Sequence, residues 1–361
     1  MDMHLVGGFL GSGKTTSIIN AARILIAQGK KVGVVTNDKG KHLVDTAFFR
    51  SADIPTAEVA GGCFRCNYDQ LEERLRELET KNQPDIIFAE SVGSCADMAE
   101  TVMKPLLDYQ AELAGNTSFS VFCDIRLLHF WLTGAELPFA DEIVYIFEQQ
   151  LQEAPLIVIN KSDLMSTTQC QEVLTLAQAR FPEKRLLLQT ALQEGGTQAW
   201  LDEITKMDFR MPDPQEQSSM NYEMYDDGSR KLAWLDESIT LIGKDNQRSL
   251  RIFIHHLLTA IQAEKIAIGH VKFFVNDSKQ PFKISLPTLD QTGWESAIPE
   301  TIEQQVTIIV NGRMECAPAK INRLVQDALD TAAKETGAMY HREASAYFRP
   351  RVSPMRNSHM V

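Results

Sequence analysis

The chain has 361 residues, 44% of them hydrophobic and 23% charged, which suffices for two or three domains with ordinary globular cores. Its 48 acidic against 36 basic residues give a formal charge of -12, which argues against general affinity for nucleic-acid backbone or anionic lipid, so neither a nucleic acid nor a membrane is expected as partner. No apolar run approaches the roughly 20 residues that span a bilayer, and the start "MDMHLVGGFLGSGKTT" carries no basic signal region, so the expected location is cytoplasmic.

In chain order, "HLVGGFL" predicts a short strand running into a glycine loop, and "TTSIINAARILIAQGK" a helix with Ile18, Ile19, Ala22 and Leu25 on one face, stopped at Gly29. "KVGVVTND", "PDIIFAES", "SFSVFCDI", "EIVYIFE" and "APLIVINKSD" read as further strands, with "LLLQTALQ" the last. Apolar strands alternating with helical patterns predict an α/β domain, residues 1–208, built on a mostly parallel sheet. Residues 209–230 are polar and proline-containing and read as a linker or mobile loop. Beyond them, "KLAWLDESITLIG", "GHVKFFVND", "QPFKISL" and "QVTIIVNG" suggest strands, while "QRSLRIFIHHLLTAIQAEK" and "APAKINRLVQDALDTAAKE" suggest helices. The expectation is a smaller α+β domain over 231–340 and a loose tail over 341–361.

Gly8, Gly13, Lys14 and Thr15 fit the G-x-x-x-x-G-K-[ST] pattern between a strand and a helix. Gly8, Gly11, Ser12, Gly13, Lys14, Thr15 and Thr16 then form a phosphate-binding loop. Its backbone N–H groups turn inward, Lys14 reaches the β and γ oxygens, and Thr15 ligates Mg²⁺. The rival is a glycine turn that merely opens a helix, which the full pattern in its setting disfavours. "VINKSD" supplies the base: Asp163 offers a carboxylate to the two nitrogen donors of guanine, while Asn160 and Lys161 hold and cover it. Adenine lacks the matching donor pair, so GTP and GDP are expected over ATP.

Asp38 and Glu90 to Gly93 stand at strand ends where nucleotide chemistry belongs. Glu90 is a candidate for Mg²⁺ through water or for the attacking water, Asp38 for a share of either role, and Gly93 for an N–H on the γ-phosphate. Both acids have helix capping as their bland alternative. In "GGCFRC", Cys63 and Cys66 are spaced to reach one Zn²⁺, Co²⁺, Ni²⁺ or Fe²⁺, with Glu58 and Cys95 as further candidate ligands; a redox pair and inert buried thiols remain open.

The ordered set "GGFLGSGKTT", "ND-G", "GGCFRC", "ESVG" and "NKSD" resembles the CobW-type metal-associated P-loop GTPases, relatives of the GTPases that assist nickel insertion into hydrogenase and urease. The resemblance covers residues 5 to about 205 closely and the second domain only in layout. It implies slow GTP hydrolysis with Mg²⁺ and delivery of a metal or cofactor to a metalloenzyme or corrinoid-protein client, with a homodimer allowed. Where the family has C-x-C-C, Arg65 replaces the middle cysteine and cannot ligate a cation; Asp38 stands where the family often has Glu. His255, His256, His270 and His341 are scattered instead of forming the family's histidine-rich stretch. Two rival functions are a nucleotide-gated, non-catalytic scaffold and a small-molecule kinase.

Overall fold

The computed structural model describes residues 1–38, 44–111, 116–207, 220–289 and 291–350. In chain order the first part runs β1 (Asp2–Gly8), α1 (Lys14–Ala27), β2 (Val32–Asp38), α2 (Val44–Ser51), β3 (Thr56–Ala60), α3 (Tyr68–Asn82), β4 (Ile86–Glu90), α4 (Lys104–Ala111), β5 (Thr117–Asp124), α5 (Ile125–Leu132), α6 (Asp141–Glu153), β6 (Leu156–Asn160), α7 (Thr167–Arg180), β7 (Arg185–Leu188) and α8 (Glu194–Ile204). Among the described residues, its strands pair in parallel in the order β3-β2-β4-β1-β5-β6-β7. Strands β4, β5 and β6 are buried along their whole length because helices cover both faces, which is why they read as apolar runs and not as alternations. The chain winds outward from β1 in both directions. Beside β1 the strand order reverses, and such a reversal opens a crevice at the carboxyl ends of the strands.

Two local expectations are corrected here. "EIVYIFE", read as a strand, lies inside helix α6. Ile143, Ile146, Phe147, Gln150 and Leu151 are buried at helical spacing, and Asp141 and Glu142 in the first turn complement the helix dipole. A seven-residue window was too short to separate that period from a buried strand. "TAEVA", unassigned from sequence, forms edge strand β3 with only Ala57 and Val59 buried.

The second part runs α9 (Tyr222–Lys231), β8 (Leu232–Ile242), α10 (Asn246–Ala263), β9 (Ile268–Asn276), β10 (Phe282–Pro287), β11 (Gln305–Glu315), α11 (Pro318–Thr336) and β12 (Met339–Phe348). Its strands form an antiparallel sheet, β10-β9-β11-β8-β12, making a smaller α+β domain after the parallel one. Helix α11 begins on Pro318 and ends at Gly337, whose φ of 70° releases the chain from the helix. Apolar faces of α10 and α11 meet Val271, Phe273 and Val275 of β9 in a second core. His255 is exposed on α10, and His256 is half-exposed.

Residues 222–231, read from sequence as part of a flexible connection, form α9. Asn221 caps it by accepting from the N–H groups of Glu223 and Met224, and Lys231 pairs with Glu142 of α6 at 2.6 Å. Residues 208–219 and 351–361, which hold the rest of that connection and the end of the tail, lie outside the described residues. Strand β12 was also unanticipated, since its residues alternate between half-buried and exposed. It is held by Arg342, whose guanidinium donates at 2.7 and 2.8 Å to the fully buried Glu237 of β8. Stripping one partner from a buried pair costs about 3–5 kcal/mol, so a polar strand can be fixed as firmly as an apolar one. No helix of the described residues is long and apolar enough to cross a membrane.

Candidate functional site

The loop between β1 and α1 sits at the strand-order reversal. A side chain at Gly8 would put its Cβ 2.1 Å from the Phe122 carbonyl oxygen, so only glycine lets β1 turn there against β5. Gly13 precedes α1 at φ 94° and has no side chain to cap it, leaving the first-turn N–H groups to an anion. Lys14 is 7% exposed, and its Nζ donates to the carbonyls of Gly8 at 2.6 Å and Phe9 at 3.2 Å. Burial pulls its pKa down to about 8, against the raising effect of Glu90.

Thr15 donates its hydroxyl to Glu90 Oε1 at 2.7 Å. Glu90 is buried and its pKa is raised, first by desolvation and then by Asp45, while Lys272, Lys14 and the Thr15 hydrogen bond oppose the shift. Glu90 Oε2 and Ser12 Oγ are buried and find no partner among the described residues. Two orphaned oxygens beside the loop fit a phosphate with its divalent cation. Gly93 packs so closely on Leu10 that a Cβ would lie 2.8 Å from the leucine side chain, and Gln150 Nε2 donates to its carbonyl at 3.2 Å. Leu10, Gly11, Ser12, Gly13, Lys14, Thr15, Thr16, Glu90 and Gly93 line one cavity of about 310 Å³. Asp38 ends β2, and its side chain is outside what the structure describes.

The same cavity reaches Asn160, Lys161 and Asp163 at the end of β6. Asn160 Nδ2 donates to the Ser12 carbonyl at 2.8 Å, tying the two loops together, and its Oδ1 accepts from the Ala191 N–H at 3.0 Å. Lys161 turns at φ 66°, and its Nζ meets Asp124 at 2.9 Å. Arg126 grips the same carboxylate at 2.7 and 3.0 Å, and these contacts hold the Asp124 pKa low despite burial. Asp163 is exposed, with Leu164 and Leu192 presenting apolar surface beside it. Sequence reasoning missed Asp124 and Arg126; the signal was their place at the end of the neighbouring strand β5, level with Asn160.

The cysteine loop lies further along the same edge. Cys63 and Cys66 bring their sulfurs to 3.0 Å, while Cys95, also buried, donates to Met98 Sδ at 3.2 Å. The Tyr225 hydroxyl donates to the Ser94 carbonyl at 3.1 Å, and its pKa is raised first by burial and then by the charges of Cys95 and Cys63. Arg65 lies 4.8 and 5.2 Å from the rings of Tyr222 and Tyr225 and 3.9 Å from Asp97. Glu58 is half-buried on β3 and its charge acts on Arg74 of α3. Among the described residues no three His, Cys, Asp or Glu side chains converge as a metal-binding group. Asn37, beside the acid singled out from sequence, connects the loops: its Nδ2 donates to the Gly62 carbonyl at 2.6 Å, and its Oδ1 accepts from the N–H groups of Phe64 at 3.0 Å and Val92 at 3.4 Å.

Comparison with known proteins agrees with this layout. The chain is 26% identical to the zinc chaperone CobW of Sinorhizobium sp over 51% of its own length and 57% of the relative's. It is 31% identical to the zinc chaperone YeiR of Escherichia coli (strain K12), covering 44% and 46% of the two chains. It is 28% identical to the urease accessory protein UreG of Aliarcobacter butzleri (strain RM4018), covering 44% and 73%. The chain thus spans about half the length of the first two. The model of the CobW/HypB/UreG nucleotide-binding domain matches residues 2–188, from the start of β1 to the end of β7. That stretch is the whole parallel sheet with the loops at the carboxyl ends of its strands, and the chain belongs to the CobW/HypB/UreG family.

Proposed function

We propose that the protein binds GTP with Mg²⁺, hydrolyses it slowly, and uses the cycle to serve a metalloenzyme or corrinoid-protein client. The observation that supports this reading is the bond from Asn160 to the Ser12 carbonyl, which ties together two loops that line one cavity, the one taken here to read the base and the other to grip phosphate. Lys14 binds the β and γ oxygens, Thr15 and Glu90 hold the cation, and Asp163 pairs with guanine. Mg²⁺, when bound, offsets the charge of the phosphates. Asp38 and Gly93 complete the terminal-phosphate side. Two relatives are named zinc chaperones, which supports a metal cargo, with Zn²⁺ and its neighbours Co²⁺, Ni²⁺ and Fe²⁺ as candidates for the thiols of Cys63 and Cys66.

The second reading is a nucleotide-gated scaffold without metal handling. It is favoured by Arg65, which stands between the two cysteines in sequence and whose guanidinium lies against the rings of Tyr222 and Tyr225 at 4.8 and 5.2 Å. Nucleotide titration with GTP and ATP, turnover measured alone and with candidate clients, and metal competition under reducing conditions separate the two. Preferential GTP binding, turnover and thiol-dependent metal support the chaperone; GTP binding with neither turnover nor metal moves the assignment to the scaffold. Equal affinity for ATP and GTP sinks both.

A further inference from the structure

The roof of the nucleotide cavity is built by the second sheet. Strand β9 alternates: Val271, Phe273 and Val275 enter the second core, so His270 and Lys272 face the other way, into the cavity. Across the ladder, Ser285 of β10 and Asn311 of β11 pair with Lys272, and Arg313 pairs with His270. Gly269 lies so close to Leu10 of the phosphate loop that a Cβ there would come within 2.5 Å of the leucine side chain. The two domains therefore meet directly over the loop.

Charge at this junction is concentrated and buried. Lys272 Nζ donates to one oxygen of Asp45 at 2.5 Å, and Lys283 Nζ, on a side chain only 8% exposed, donates to the other at 2.7 Å. Asp45 belongs to α2, whose first N–H, from Val44, donates to Asn311 Oδ1 at 2.8 Å. The cavity lining holds the cations Lys14, Arg126, Lys161, Lys272, Lys283 and Arg313 and the carboxylates Asp45, Glu90 and Asp163. Fields overlap across the domain boundary: Lys272 is among the causes that depress the pKa of Lys14 and oppose the rise in that of Glu90, and it helps hold His270 neutral. Ammonium groups held in a buried cavity are best satisfied by an anion that meets several of them at once. Both lysines already share a single carboxylate, and a terminal phosphate, with more charge and three acceptor oxygens, competes for them.

We infer that Lys272 and Lys283 bind the terminal phosphate of the nucleotide, so that the second domain distinguishes triphosphate from diphosphate by exchanging Asp45 for the γ-phosphate. Because Asp45 and Val44 attach α2 to the same sheet, the exchange changes how the two domains hold each other. Hydrolysis returns both lysines to Asp45. This deepens the GTP-binding reading and rests on it.

The test measures GTP and GDP affinities by calorimetry on the full chain: wild type, Lys272→Met with Lys283→Met, the corresponding double arginine variant, and Asp45→Asn. The methionine pair is expected to lose about tenfold or more in GTP affinity while GDP affinity changes by less than about threefold, and the arginine pair to recover most of the loss. Asp45→Asn, which removes the competitor, is expected to raise the ratio of GTP to GDP affinity. Equal loss for both nucleotides, or no loss, overturns the inference. If the methionine pair fails to fold, Asp45→Asn decides alone: an unchanged or lowered ratio overturns it. Wild type that binds no GTP would sink the underlying reading as well, whereas GTP binding with an unaltered ratio in every variant would sink only the role of the lysines.

Discussion

The phosphate loop and the cysteine loop are both introduced by glycines at the edge of the same parallel sheet, yet they end in opposite conditions. At the first, polar groups converge on open space: Ser12 and Glu90 keep buried oxygens without partners among the described residues, and cations gather on the far wall. At the second, the groups face one another. Arg65 is clasped by Tyr222, Tyr225 and Asp97, and the sulfurs of Cys63 and Cys66 touch. What the comparison teaches is that a glycine-led loop becomes a ligand site through what lies opposite it. Opposite the phosphate loop is a second domain that meets it at Gly269 and leaves a cavity beside that contact; opposite the cysteine loop is α9, packed against it. Asn37 joins the two conditions, since one side chain holds the cysteine loop and the Val92 amide together.

Breaking the phosphate end should give the largest effect. Lys14→Ala is expected to weaken GTP binding by on the order of a hundredfold with the fold intact, because a charge-assisted contact to the β and γ oxygens is lost. Calorimetry beside circular dichroism checks it, and unchanged affinity would contradict the role of Lys14. At the base end, Asp163→Ala should remove roughly thirtyfold of the preference for GTP over ATP, since the carboxylate reads donors that adenine lacks. Competitive titration with both nucleotides measures this; a preserved preference would remove Asp163 from base recognition.

The cysteine loop gives a smaller and more informative effect. Arg65→Cys restores a third thiol and clears the guanidinium, so chelator competition under reducing conditions should show about tenfold tighter Zn²⁺ binding, and Cys63→Ser should weaken it. If Asn37 carries nucleotide state between the loops, metal affinity should differ about tenfold between GTP-loaded and GDP-loaded protein, and Asn37→Ala should erase that difference. Identical metal affinity in both nucleotide states would make the loops independent.

The smallest effect is in pH. Lys14 has its pKa lowered to about 8, and a bound triphosphate raises it again, so the bound state holds more protons and affinity falls as pH rises past the free value. GTP affinity should be flat below that point and drop by about fourfold between pH ~7 and ~8.5. Titrations in buffers of different ionisation enthalpy should register net proton uptake at the higher pH. A flat profile would mean that Lys14 stays charged throughout.

Much of the parallel sheet could be read along the chain, and so could the motifs of the proposed phosphate and base loops. Gly8, Gly13, Lys14 and Thr15 stand close together in sequence, and "NKSD" marks the end of β6 wherever the rest of the chain goes. Helix α6 was misread because its two polar flanks lie outside the window that looked like a strand. Helix α9 and strand β12 were missed because each is fixed by partners far away: Tyr225 donates to the Ser94 carbonyl across 131 residues, and Arg342 meets Glu237 across 105.

By itself the sequence marked the loops proposed to grip phosphate and base, since such motifs depend on backbone shape and side-chain spacing within a few residues, both of which glycines and motif order impose locally. Only the tertiary structure decided what stands over them. Asp45 meets Lys272 and Lys283 across 227 and 238 residues, a pairing that no periodicity can announce, because it follows from helix α2 docking against the second sheet. The same holds for Arg65. Its residue type was visible, but whether it leaves a metal site open or fills it depends on α9 folding back to place two aromatic rings against a cation that burial would otherwise penalise.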